Sequence, residues 1–168
     1  PARLARDADG ALRTDVLARL LVITDLLVEN AAEGQEAARN RIIIQKALCD
    51  VYADREGDST PGYRDVLEVL RRYAQSSAQE FEPARLRALV ELLQGFIASP
   101  FAQLFASQDG STRDADKQFV TFDLFGVADL PASIQNALVY LVCGRVRDLA
   151  FDPSDPRMKT VILDEVAQ

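Results

Sequence analysis

Residues 159–168 read Lys159-Thr-Val-Ile-Leu-Asp164-Glu165-Val-Ala-Gln168, an unbroken apolar run closing on two adjacent acids. Apolar side chains without alternation fit a strand covered on both faces, as in a parallel sheet. Working outward, Asp152-Pro-Ser-Asp-Pro156 is a turn cluster. Before it, Pro131 opens a long helical pattern through Ile134, Leu138, Leu141, Val142, Arg145 and Val146 towards Ala150. Earlier still, Phe119-Val-Thr-Phe-Asp-Leu-Phe125 is rich in β-branched and aromatic residues and short for a helix, which predicts a strand. Strand, long helix, strand is a βαβ unit, with a right-handed crossover and parallel strands.

Upstream of residue 108 the pattern is helix after helix. Leu12, Val16, Leu20, Ile23 and Leu27, flanked by Leu17, Leu21 and Val28, predict a helix over 12–29 whose wide apolar stripe needs partners on two sides. Gly34 marks a stop. A second helix is expected over 36–54, with Ile43, Ala47, Leu48, Val51 and Tyr52 on one side. Thr60 before Pro61 has the form of an N-cap with Pro at the first helical position. The third helix then runs through Tyr63, Val66, Leu67 and Leu70 to about Gln75. Glu82-Pro83 repeats that start for a fourth, carrying Leu86, Leu89, Val90, Leu93 and Phe96. Ser99-Pro100 ends it, and Phe101-Ala-Gln-Leu-Phe105 is expected to form a short turn with its two aromatics inward.

Composition bounds the function. The chain of 168 residues suits one ordinary domain, and 48% hydrophobic with 27% charged residues is a globular balance. The formal charge of −7 disfavours a broad phosphate-binding surface, so no direct nucleic-acid binding is expected. Arg71, Arg72, Arg85 and Arg87 lie close in sequence; a local basic patch is one reading, and the solvated faces of two helices is the plainer one. The absence of His removes Ser-His and Cys-His nucleophile systems and His-containing zinc sites. Cys49 and Cys143 sit in apolar helical contexts and read as small buried hydrophobes suited to a reducing cytosol. No charged-then-apolar leader begins the chain. The apolar stretch 17–28 is interrupted by Arg19 and Asp25, so no membrane span is expected.

The acid pair carries the chemistry. Val161-Ile-Leu-Asp164-Glu165 has the form of a Walker B segment. At the carboxyl end of a parallel strand, where ligands sit in α/β sheets, Asp164 can hold Mg²⁺ through water. Glu165 points to the other side and can orient or deprotonate an attacking water. The alternative is a strand ending in two solvated acids.

This order of segments resembles the ATPases of conjugative DNA transfer and type IV secretion, the TraC-like group. The residues concerned are Phe119-Val-Thr-Phe-Asp-Leu, then a long helix, then Lys159-Thr-Val-Ile-Leu-Asp-Glu. In that family an all-helical segment is inserted between the phosphate-binding loop and Walker B. Ala47-Leu-Cys-Asp-Val-Tyr52, Tyr63-Arg-Asp-Val-Leu-Glu-Val-Leu70 and Phe101-Ala-Gln-Leu-Phe105 look like that insert. The resemblance implies a mostly α chain with a small parallel β element. A helical insert over 1–107 would precede a partial RecA-like α/β core over 108–168. It implies Glu165 as the catalytic group, Asp164 as the nucleotide and Mg²⁺ ligand, and ATP with Mg²⁺ as cofactors of the parent enzyme. A homohexamer on the cytoplasmic face of the inner membrane, working with other subunits of a secretion complex, is implied likewise.

Two departures stand out. Val166-Ala167-Gln168 follows the acids where family members often carry a small residue and Trp, and this chain has no Trp. The Gly-x-x-x-x-Gly-Lys-[Ser/Thr] loop that cradles phosphates occurs nowhere in the sequence; the family's order places it before Pro1. The chain is therefore expected to be a middle piece, inactive alone, and prone to dimerise through the exposed edge of its last strand. Two other readings stay open: a RecA-like DNA-pumping motor, and a non-catalytic helical interaction module. Asp123 is read as capping the loop after the first strand. Arg145 and Arg147, which could serve a neighbouring subunit's phosphates, are read as surface residues.

Overall fold

A computed structural model describes residues 12–27, 34–54, 61–76, 81–105, 121–122, 125–151 and 159–162. The chain divides into two compact units, Pro1–Gln108 and Asp109–Gln168.

Among the described residues of the first unit lie four α-helices, α1 (Thr14–Leu27), α2 (Gln35–Ala53), α3 (Tyr63–Gln75) and α4 (Pro83–Ala98), then a 3-10 turn over Pro100–Phe105. In chain order each packs on the next, and α4 packs on the 3-10 turn. The sequence explains most of the boundaries. Pro83 stands at the start of α4 with Glu82 as N-cap; Pro is pre-set for helical φ there and has no N–H to waste. Gly34 is the N-cap of α2 with φ of 62°, a left-handed conformation that glycine adopts without a Cβ clash. It starts α2 as much as it separates it from α1.

α3 departs from expectation at its beginning. Its N-cap is Gly62, so Pro61 precedes the helix and does not open it; Thr60 lies outside the described residues. The physical reason is Asp65. From the third helical position its Oδ2 accepts the Gly62 backbone N–H at 2.7 Å, the reciprocal half of a capping box.

The core follows helical spacing. α2 buries Ile43, Ile44, Ala47, Leu48, Val51 and Tyr52, a stripe wide enough to serve α1 on one side and α3 on the other. α3 buries Val66, Leu67, Val69 and Leu70 while Arg64, Glu68, Arg71 and Arg72 stay outside. α4 contributes Leu86, Leu89, Leu93 and Phe96. Each fully buried aliphatic side chain of this size contributes about 1.5–3 kcal/mol of transfer free energy. α1 is only half committed. Ile23 and Leu27 are buried near its end, whereas Val16, Leu17, Leu20 and Leu21 are partly exposed.

An aromatic chain joins the later elements. Phe96 meets Tyr63 edge-on at 5.5 Å between ring centres, and Phe105 at 5.7 Å, the geometry ring quadrupoles favour. Phe101 and Phe105 are both half-buried. Polar ties run between helices as well. Both Nε and Nη2 of Arg41 donate to Asp25 Oδ2, at 2.8 and 2.6 Å, joining α2 to α1. The Tyr73 hydroxyl donates to Asp50 Oδ2 at 2.5 Å, joining α3 to α2.

Tyr63 gives the bundle a pH signature. Burial pushes its phenol up to about 12, against a hydrogen bond with Thr24 that pulls down; Tyr52 nearby adds to the rise. The folded state prefers the neutral phenol. Stability from this group is therefore complete below its unfolded pKa near 10 and is lost as pH rises towards 12. The loss is on the order of 2 kcal/mol. Urea melts of wild type and Tyr63→Phe should diverge in slope with pH only across pH 10–12, the variant being flatter. Parallel profiles would refute the assignment.

In the second unit, a 3-10 turn over Phe125–Val127 leads to α5 (Ala132–Ala150), with Pro131 as its N-cap. Gln135 Nε2 donates to the carbonyls of Ala128 (2.8 Å) and Leu130 (2.6 Å), holding the entry turn against the first turn of the helix. α5 buries Ile134 and Ala137. Its middle, 137–143, is apolar on every side, and Val139, Tyr140 and Leu141 are exposed by about two-fifths.

The βαβ expectation is overturned. The described residues contain no strand, so neither a parallel β element nor a βαβ piece of a RecA-like core exists among them. Thr121 and Phe122 have no regular structure, and Phe125 enters a 3-10 turn. Residues 159–162 are likewise irregular, with Val161 and Ile162 48% and 81% exposed, and they present no strand edge. A strand is a property of pairing; β-branched and aromatic residues mark segments that fit a sheet but supply no partner. No helix among the described residues is long and apolar enough to cross a membrane.

Candidate functional site

Asp164 and Glu165, the predicted metal ligand and catalytic group, lie outside the described residues, as does Asp123. The structure describes only their approach. Lys159 is half-buried, while Thr160, Val161 and Ile162 are exposed. The two arginines of α5 part company: Arg145 is half-buried, whereas Arg147 is exposed and lies 3.9 Å from Asp148. Exposed pairs at such a distance contribute little.

The arginines close in sequence do not form one patch. Arg71 Nη2 donates to Gln94 Oε1 at 3.0 Å, bridging α3 to α4. Arg72 Nη2 donates to Asp54 Oδ2 at 2.9 Å, bridging α3 to the end of α2, and that carboxylate pushes the guanidinium pKa further up. Arg87 Nε donates to the Pro83 carbonyl within its own helix at 3.3 Å.

Arg85 is the exception to a solvated-face reading. Its side chain is only 14% exposed. Nη1 donates to Asn40 Oδ1 at 3.0 Å and to the Glu36 carbonyl at 3.4 Å. The carboxylates of Glu36 and Glu82 stand 3.6 and 3.7 Å away. One guanidinium thus pins the start of α4 to the start of α2 and satisfies a buried Asn. Arg85 sits beside Leu86 on the inward side of α4, and that adjacency was the signal in the sequence. Its partners on α2, 45 and 49 residues away, were not legible.

Arg85→Ala should cost about 1–3 kcal/mol, because Asn40 and the Glu36 carbonyl lose a charged donor while partly shielded from water. Chemical denaturation of the variant checks this. A change below about 0.5 kcal/mol would place the residue among ordinary surface arginines.

An open depression of roughly 560 Å³ lies over the end of α2 and the outer face of α3, lined by residues including Asp54, Asp65, Glu68, Arg71 and Arg72. Both of its aspartates have structural work. Asp54 holds Arg72 and Asp65 caps α3. Two carboxylates committed in this way are poor candidates for general bases, which need a free lone pair aimed at substrate. Among the described residues no three Asp, Glu or Cys side chains converge in a way that could hold a metal ion.

The cysteines differ from expectation. Cys143 is exposed on α5, because the helix buries only its Ile134–Ala137 side; Cys49 is half-buried, and both are free thiols. Burial, with Asp50 next to it, pushes the Cys49 thiol up, away from the thiolate that reactivity requires. Compared with protein-family models, with curated proteins and with solved structures, the chain matches none of them.

Proposed function

We propose that this chain is the helical insert and Walker B approach of an ATPase of conjugative DNA transfer or type IV secretion. The observation that carries the reading is the sequence Val161-Ile-Leu-Asp164-Glu165, which follows shortly after the nineteen-residue helix α5 and a unit whose described residues are mostly helical. In the intact enzyme Asp164 holds Mg²⁺ through water and Glu165 orients the attacking water, with ATP bound by a phosphate loop that these residues do not include. The parent works as a homohexamer with other subunits of a secretion complex, at the cytoplasmic face of the inner membrane.

The testing experiment is ATP hydrolysis by the full-length protein with and without Mg²⁺, beside calorimetric titration of ATP into the 168-residue chain. Expected are Mg²⁺-dependent turnover by the former and no micromolar binding by the latter, since the amide cradle and its Lys are missing. A full-length protein without Mg²⁺-dependent hydrolysis would overturn the reading. Micromolar ATP binding by the chain would overturn its inactivity alone.

A second reading, a non-catalytic helical interaction module, draws on one specific observation. The described residues are mostly helical, and several of their polar groups tie one helix to the next, as with Arg72 on Asp54 and Arg85 on Asn40. That arrangement serves a scaffold well and chemistry poorly. Failure of the hydrolysis experiment would select it.

A further inference from the structure

We draw no further inference here: the strongest candidate, the exposed apolar band of α5 at Val139, Tyr140 and Leu141, is an unpartnered helix face, and nothing in the structure shows what covers it.

Discussion

Glu165→Gln in the full-length protein should leave ATP binding close to wild type and lower hydrolysis by about 10²–10⁴-fold, the usual contribution of a positioned general base. The exchange keeps size and hydrogen-bonding capacity while removing the negative charge and the ability to accept a proton. Mg²⁺ would remain on Asp164, so affinity measured with a fluorescent ATP analogue should hardly move. Asp164→Asn should behave differently, raising the Mg²⁺ concentration needed for half-maximal rate. Unchanged hydrolysis in the Glu165 variant would remove the catalytic assignment. Loss of nucleotide binding together with activity would indicate a folding defect, which circular dichroism of the same preparation detects.

Leu70→Ala should produce the largest loss of stability in the helical unit, about 2–5 kcal/mol. Leu70 is 1% exposed and sits on α3, the helix between α2 and α4, so the vacated volume has packed neighbours on both sides. A domain of this size has only about 5–15 kcal/mol in hand, and the variant should melt at markedly lower urea. Leu92→Ala is the matched control. Leu92 lies on α4 and is 42% exposed, so it should change stability by less than about 1 kcal/mol. Equal effects at the two positions would contradict the packing described.

The helices were legible because their signals are local. The end of α4 was expected at Ser99-Pro100, and the structure ends it at Ala98. The start of α5 behind Pro131 is equally direct, since proline fixes φ and lacks a donor wherever it stands. Apolar spacing also identified the inward faces, from Ile43 to Tyr52 on α2 and from Leu86 to Phe96 on α4. The shift of the α3 cap from Thr60 to Gly62 shows the limit even here. Thr60 before Pro61 has the form of a cap, but the Asp65 carboxylate, accepting the Gly62 N–H, sets the start of the helix two residues later.

Of the candidate site, the sequence supplied the identities Asp164 and Glu165 and the chemistry those groups can perform. Their geometry needed a partner strand. None occurs among the described residues; Val161 is about half exposed and Ile162 largely so. Apolar content shows that a segment favours burial and leaves open what buries it.

By itself, then, the amino-acid sequence determined where the described helices lie to within a residue or two, the buried faces of α2, α3 and α4, and the absence of histidine chemistry. These depend on dihedral preference, capping and periodicity within a few residues. The tertiary structure alone decided that 121–122, 125 and 159–162 do not form strands. It alone decided that three of the four clustered arginines, Arg71, Arg72 and Arg85, become separate interhelix ties, with Arg85 reaching Asn40 across 45 residues. Strand pairing and buried charge satisfaction both require a partner distant along the chain, and that partner is fixed only when the helices pack.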